Sequence, residues 1–371
     1  MRVLFDHQIF SIQNVGGISR YFCDLLLGLS EVDGIESDLS VLLSNNLHLR
    51  SSHPFSTPRF LPNLRFRGKT RLISSINMRQ SLRSLRDGKF DVFHPTYYSP
   101  YFVSQLNGRP FVLTIYDMIH ERFQHQQNKS HWVNEDKRVL AFRANMIIAI
   151  SNNTKKDIVD IYGLPQEKVS VVHLGYSPVP PPGETEIRIP EDYLLFVGKR
   201  DGYKNFRRFT FAVSPLLRAE RGLHIICAGE QPFSSEEAEL FRQQGIEAQV
   251  LFYYASDKDL AFLYSHARAF VFPSEYEGFG LPILEAFAGG CPVAVSNTSS
   301  MPEVAGDAAV YFSPYDADEM YTAIKTVALD TERRHDLIAK GLNRLRQFNI
   351  QRTAEKTVAV YKRALLEQKT N

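Results

Sequence analysis

The sequence predicts an α/β protein of two successive domains, each a parallel sheet covered by helices. Three observations carry this expectation. The chain has 371 residues, more than one hydrophobic core usually serves. Short apolar runs recur along it, each followed by Gly, Pro, Asn or Asp and then by a longer amphipathic stretch, which is the alternation of strands with covering helices. Near mid-chain lies Gly175–Pro190, a segment rich in Pro and Gly that continues neither a helix nor a central strand.

Taken in order, the expected strands of the first series are Val3–Phe5, Leu39–Leu43, Val92–His94, Phe111–Ile115, Met146–Ile150 and Val169–Val172. The second series comprises Tyr193–Val197, Leu223–Cys227, Ala248–Phe252, Ala269–Phe272, Val293–Ser296 and Ala309–Phe312. The expected domains are therefore residues 1–174, a linker 175–190, and residues 191–350. Charged, helical patterning runs through Thr331–Gln368.

Composition narrows the function. Lys and Arg total 43 against 41 for Asp and Glu, a net +2 that gives no global reason to expect nucleic acid. Cys23, Cys227 and Cys291 lie far apart in apolar stretches without metal-like spacing, so buried reduced thiols are expected. The first residues, MRVLFDHQIF, lack an apolar core long enough for a signal peptide, and no later run approaches bilayer length. A cytoplasmic protein is expected, at most peripheral on a membrane.

The most informative segment is Phe272–Pro292, FPSEYEGFGLPILEAFAGGCP. A strand ending at Phe272 opens into a loop with Glu275, Glu277, Gly278 and Gly280, and Pro282 then begins a helix that Gly289 and Gly290 stop. Such a loop delivers free N–H groups and the positive end of a helix dipole to the carboxyl edge of a parallel sheet, where phosphates bind. A diphosphate is expected against Gly278, Phe279, Gly280 and Leu281. Glu285, placed in the first helical turn, suits the vicinal hydroxyls of a ribose, and Glu277 the sugar and its developing positive charge. A second segment, FVGKRDGYKN after the first strand of the second series, offers Arg200 and Lys204 as fixed cations for a departing diphosphate, with Lys199 as an alternative to Arg200. Near the N-terminus, Gly16 and Gly17 precede a helix starting near Ile18 and allow a ligand close to the backbone. His94, Asp117 and His120 stand at or just beyond strand ends.

The string Glu277-GFGLPIL-Glu285 resembles the Glu-x7-Glu signature of glycosyltransferase family 4, retaining enzymes of the GT-B fold. The resemblance covers nearly the whole chain. It implies two Rossmann-like domains facing across a deep cleft, the first binding the acceptor, the second a nucleotide sugar, and a last helix, residues 351–371, crossing back onto the first domain. Arg200 and Lys204 match the family's diphosphate-binding pair. Gly16 and Gly17 resemble its N-terminal Gly-Gly loop, with Arg20 in the place of the following arginine. FYYAS, containing Tyr254, is similar to the segment whose backbone contacts the nucleobase. Many relatives carry His-Asp after a first-domain strand, with the histidine over the donor sugar. Here Tyr116 takes that place before Asp117, which leaves the histidine's role to His120 or to His94 on the acceptor side, or removes it.

The implied reaction moves a hexose, mannose favoured, from a nucleotide-diphosphate sugar (GDP-mannose favoured, a UDP-sugar as alternative) to a hydroxyl of a surface glycan or lipid-pyrophosphate-linked acceptor. No metal is expected, since Arg200, Lys204 and the helix end would neutralise the diphosphate. Catalytic roles are expected of Glu277, Arg200, Lys204, His120 and Asp117. Two other classes stay open: an epimerase or hydrolase using the same cleft, and a silent nucleotide-sugar-binding subunit. One charge feature adds a partner. Nine Lys or Arg and a single acid, Asp87, lie between Arg59 and Lys89, and Met78, Leu82 and Leu85 share an expected helical face flanked by Arg79, Arg83 and Arg86, a pattern suited to anionic lipid or to a pyrophosphate-linked acceptor.

Overall fold

A computed structural model describes the chain except residues 50–54, 56, 62, 63, 65, 124–130, 178–187, 201 and 371. Most of the expected linker lies outside the described residues. The chain divides into two compact units, Met1–Gly175 with Phe348–Asn371, and Tyr176–Gln347.

In the first unit, β1 (Arg2–Phe5) pairs in parallel with β2 (Glu36–Leu39) and β3 (Val92–His94), while β5 (Met146–Ala149) pairs with β4 (Val112–Ile115) and β6 (Val169–Val171). A single bridge, Phe93 to Phe111, joins the two ladders. It goes no further along Pro110, which has no N–H to donate. The joined order is β2-β1-β3-β4-β5-β6, so the direction of strand succession reverses at β1 and β3. The loops after these two strands are where α/β sheets bind ligands. α1 (Gln8–Ile12) and α2 (Gly17–Ser30) follow β1, and α3 (Lys69–Asp87) precedes β3. The loop after β4 contains α4 (Ile119–Arg122), followed by α5 (His131–Arg143) and α6 (Asn152–Tyr162).

β2 starts three residues earlier and ends four residues earlier than expected. Leu42 and Leu43 both direct their N–H groups to the side-chain oxygen of Asn77 on α3, 3.0 Å away, so the apolar run leaves the ladder after Leu39. α3 also departs from the expected apolar face. Its inner face is Ile73, Asn77, Ser81 and Leu85, with Ser81 bonded to Ser40 and to His7 Nδ1. Leu85 is thus buried and Leu82 half-buried, and of the three residues expected on one face only Met78 is exposed.

In the second unit β7 (Asp192–Val197), β8 (Leu223–Ala228), β9 (Val250–Tyr253), β10 (Ala269–Phe272), β11 (Val293–Ser296) and β12 (Ala309–Phe312) form one parallel sheet of order β12-β11-β10-β7-β8-β9. Its switch point lies between β7 and β10. β9 starts two residues later than expected, because Glu247–Gln249 closes a 3₁₀ turn and the Gln249 amide donates to the carbonyls of Leu217 and Leu223. α7 (Phe206–Ala219), α8 (Ser235–Gln244), α9 (Asp257–His266), α10 (Leu281–Ala288) and α11 (Met301–Ala305) connect the strands, and α12 (Ala317–Leu329) follows the last of them. The stretch Thr331–Gln368 is two helices, α13 (Thr331–Leu345) and α14 (Ile350–Thr370). Asn349 accepts the Arg352 N–H and so starts α14 afresh, and α14 packs on α2 and on β3, β4 and β5 of the first unit.

Candidate functional site

The second unit brings Lys204 and Glu277 together across its switch point. Lys204, at the end of the loop after β7, donates to Glu277 Oε1 at 2.6 Å, and the two side chains are 17% and 12% exposed. The partners are 73 residues apart in sequence, and the surrounding chain fixes both loops. Glu275 N–H donates to the Tyr203 carbonyl at 2.7 Å. Asn205, at a positive φ of 59°, donates from its amide to the carbonyls of Pro273 and Pro314, tying the loop after β7 to those after β10 and β12. Ser299 accepts the Glu277 N–H at 2.9 Å, and the hydroxyls of Ser299 and Ser300 donate to the Glu277 carbonyl. Sequence reasoning missed Asn205, Ser299 and Ser300. Their only local signal was small polar residues beside strand ends.

Immediately after Glu277 the backbone turns through Gly280, φ 111°, into α10, and among the described residues no side chain caps that helix. A Cβ at Gly280 would also crowd Ile283 at 3.1 Å. Helix α10 begins at Leu281, so Glu285 stands in its second turn rather than its first; its carboxylate accepts the Tyr264 hydroxyl at 3.2 Å. Gly278, Phe279 and Gly280 are buried, and Tyr254 is 66% exposed beyond β9.

Arg200 is placed otherwise than expected. Its Nε donates to Glu237 Oε1 at 2.6 Å, its Nη2 donates to the carbonyls of Gln231 and Pro232, and its guanidinium lies 4.9 Å from the centre of the Phe233 ring. The side chain is only 8% exposed. Burial pushes the Glu237 carboxyl up, but hydrogen bonds from Arg200 and from Ser234, together with the Arg200 charge, outweigh it and hold the group below the ordinary carboxylate range. Arg200 therefore fixes the loop between β8 and α8, and its neighbour Lys199 is the exposed cation. A cavity of about 870 Å³ opens beside them, lined by Gly198, Lys199, Arg200, Glu230, Gln231 and Ser234 among others.

In the first unit, α2 begins at Gly17 with Gly16 as its extended first cap, and among the described residues no side chain caps it. Arg20 pairs with Asp24 one turn along, at 3.9 Å. Asp117 is half-buried and its Oδ1 accepts the Ile119 N–H, while His120 lies half-buried on α4. His94 does not join them. It is fully buried, with Nδ1 2.7 Å from the Tyr361 hydroxyl and Nε2 2.8 Å from the Thr114 hydroxyl. Burial pushes its pKa down to about 3, so it is a neutral core residue and both ring nitrogens are taken. The acceptor-side role expected of His94 falls on that ground.

A profile described as "Glycosyltransferase Family 4" matches residues 15–179, and one described as "Glycosyl transferases group 1" matches residues 183–344. The chain belongs to glycosyltransferase family 4. It is 28% identical over 300 residues to O-antigen chain mannosyltransferase B of Escherichia coli, a match spanning 77% of this chain and 78% of that one. To O-antigen chain mannosyltransferase RfbU of Salmonella typhimurium it is 29% identical over 208 residues, 56% of each. The solved structure of HepE from Anabaena, in complex with UDP and glucose, superposes with a TM-score of 0.71 over 96% of this chain and 98% of that one at 16% identity. The fold is GT-B, with two Rossmann-like domains, and the enzyme is a glycosyltransferase. Cys23, Cys227 and Cys291 are buried thiols, and none forms a disulfide among the described residues. No helix among the described residues is long and apolar enough to cross a membrane.

Proposed function

We propose that this glycosyltransferase moves a mannosyl group from GDP-mannose to a hydroxyl of a growing surface glycan, with retention at the anomeric carbon. The observation that carries the reading is the Lys204–Glu277 pair at the switch point, directly ahead of the uncapped start of α10. A diphosphate bound there meets the Lys204 ammonium, the exposed Lys199 and the helix dipole, all aimed at charge that grows as the glycosidic bond breaks. Lys199 takes the place first given to Arg200. The Glu277 carboxylate, held by Lys204 at 2.6 Å, is placed to meet the positive charge that develops on the sugar, while its engagement with Lys204 makes it a poor covalent nucleophile. Front-face displacement fits this arrangement, the departing phosphate accepting the acceptor's proton. No step calls for a metal.

Glu285 is assigned to the ribose, and the backbone near Tyr254 to the base. The Gly16–Gly17 turn, Arg20, Asp117 and His120 are assigned to substrate on the first unit, which takes the acceptor while the second takes the donor. The mannosyl assignment draws on the O-antigen mannosyltransferase, and a UDP-sugar is the second reading because HepE holds UDP and glucose. Arg79, Arg83 and Arg86, all exposed on α3 beside Met78, are assigned to anionic lipid at a membrane surface that carries a lipid-linked acceptor. Calorimetry against GDP, UDP, ADP and their sugars tests the donor: binding of GDP-mannose alone supports the reading, and binding of UDP-glucose in its place replaces it. Product analysis with and without acceptor separates transfer from hydrolysis or epimerisation.

A further inference from the structure

Helix α4 spans four residues, too few to hold a helical turn by its own hydrogen bonds. Two ion pairs hold it instead. Lys137 of α5 approaches Glu121 Oε2 at 2.8 Å and donates to the carbonyl of Asp117 at 3.0 Å, and its side chain is only 1% exposed. Glu121, 5% exposed, also accepts the hydroxyl of Tyr162 on α6 at 2.6 Å. The Lys137 ammonium lies 5.6 Å from the centre of the Tyr98 ring, on the loop after β3, so one buried cation touches the loops after both β3 and β4. At the far end of the turn Arg122 pairs with the fully buried Asp157, which also accepts the Asn153 amide at 3.2 Å.

A buried pair of this kind is a weak source of stability, because removing both charges from water consumes most of their attraction. What it gives is direction. An ammonium fixed between a carboxylate, a carbonyl and a ring face sets where the Asp117–Arg122 segment sits in a way that apolar packing does not. We propose that Lys137 and Glu121 are positioning residues for glycosyl transfer, holding Asp117 and His120 where the acceptor meets them. The proposal rests on the assignment of those two residues to substrate.

The test uses the full-length chain with Lys137→Met and Glu121→Gln combined, a double change that leaves no unpaired buried charge. The thermal midpoint and the donor dissociation constant should stay near wild type, while kcat for transfer falls about tenfold or more as the segment loses its fixed geometry. A double variant with wild-type kcat and acceptor KM overturns the proposal. Should the double variant fail to fold, Tyr162→Phe keeps both charges and loosens Glu121 alone; kcat should then fall severalfold with donor binding unchanged, and an unaffected enzyme overturns the proposal equally. Asp117→Asn and His120→Gln are measured alongside. If they lower kcat and the double variant does not, the positioning role alone is wrong; if none of the variants changes kcat, the assignment of Asp117 and His120 to substrate fails and the positioning role with it.

Discussion

His94 decides whether a histidine at the end of β3 serves chemistry or packing, and acid exposes the difference. Its folded pKa is about 3, pushed down by burial, against about 6.5 for a histidine in an unfolded chain. Below pH 6.5 the unfolded state therefore binds a proton that the folded state refuses. The stability that neutral His94 contributes is complete above pH 6.5 and is lost as pH falls towards 3. The slope is about 1.4 kcal/mol per pH unit, or about 3 kcal/mol by pH 4.5. His94→Leu removes this titration and leaves the hydroxyls of Tyr361 and Thr114 without their ring partner, at a cost of roughly 1–3 kcal/mol for each group left unsatisfied. Hydrogen exchange of the β3 and β4 amides at pH 6.5, 5.5 and 4.5 measures the free energy in wild type and variant. The variant should be the less stable at pH 6.5, and the gap should close by about 1.4 kcal/mol per unit on acidification. A constant gap across this range would mean that His94 titrates normally, open to solvent or ligand, and the core assignment would be wrong.

Glu277→Gln should lower kcat by roughly 10²–10³ with little change in donor KM, while Glu285→Gln should chiefly weaken nucleotide binding; initial rates and calorimetry separate the two, and equal effects on both constants would refute the division of roles. Lys199→Gln should weaken diphosphate affinity about tenfold with an unchanged thermal midpoint, whereas Arg200→Gln should lower the midpoint, because it strands the Glu237 carboxylate and frees the loop between β8 and α8. The reverse pattern in thermal-shift and binding data would restore Arg200 as the diphosphate cation. Transfer should persist in excess EDTA, and loss reversed specifically by manganese or magnesium would contradict the cationic-residue account. Arg79, Arg83 and Arg86 changed together to Gln should reduce sedimentation with anionic vesicles, wild-type binding should weaken with salt, and unchanged sedimentation would leave α3 a solvated helix.

Much of the fold was legible because strands buried on both faces read as unbroken apolar runs. Val92–His94, Ala269–Phe272, Val293–Ser296 and Ala309–Phe312 stand in the structure at the bounds their patterns set. β2 was misread for a reason no window contains. Leu42 and Leu43 have the composition of a strand, but the acceptor for their N–H groups is an asparagine more than thirty residues away. The basic helix erred in the same way. Apolar spacing marked Met78, Leu82 and Leu85, whereas the face that packs is polar as much as apolar, Asn77 and Ser81 being buried through hydrogen bonds to the chain after β2.

The candidate site divides along the same line. Glycines, Pro282 and the two glutamates state a loop and a helix start locally, so the α10 region could be recognised in sequence, but the partner of each charge could not. Lys199 and Arg200 show why. They are consecutive cations leaving β7, and in a continuing strand they would point to opposite faces by alternation. Gly198, with φ 114°, breaks that alternation before either is placed. What then separates them is the chain around them. Glu237, capping α8, and the carbonyls of Gln231 and Pro232 build a socket for one planar guanidinium with several fixed donors. An ammonium has no such fork, so Arg200 occupies the socket and Lys199 is left in solvent beside the cavity, available to a phosphate. A sequence motif thus names the chemistry a loop carries, and tertiary hydrogen-bond acceptors decide which of its residues performs it.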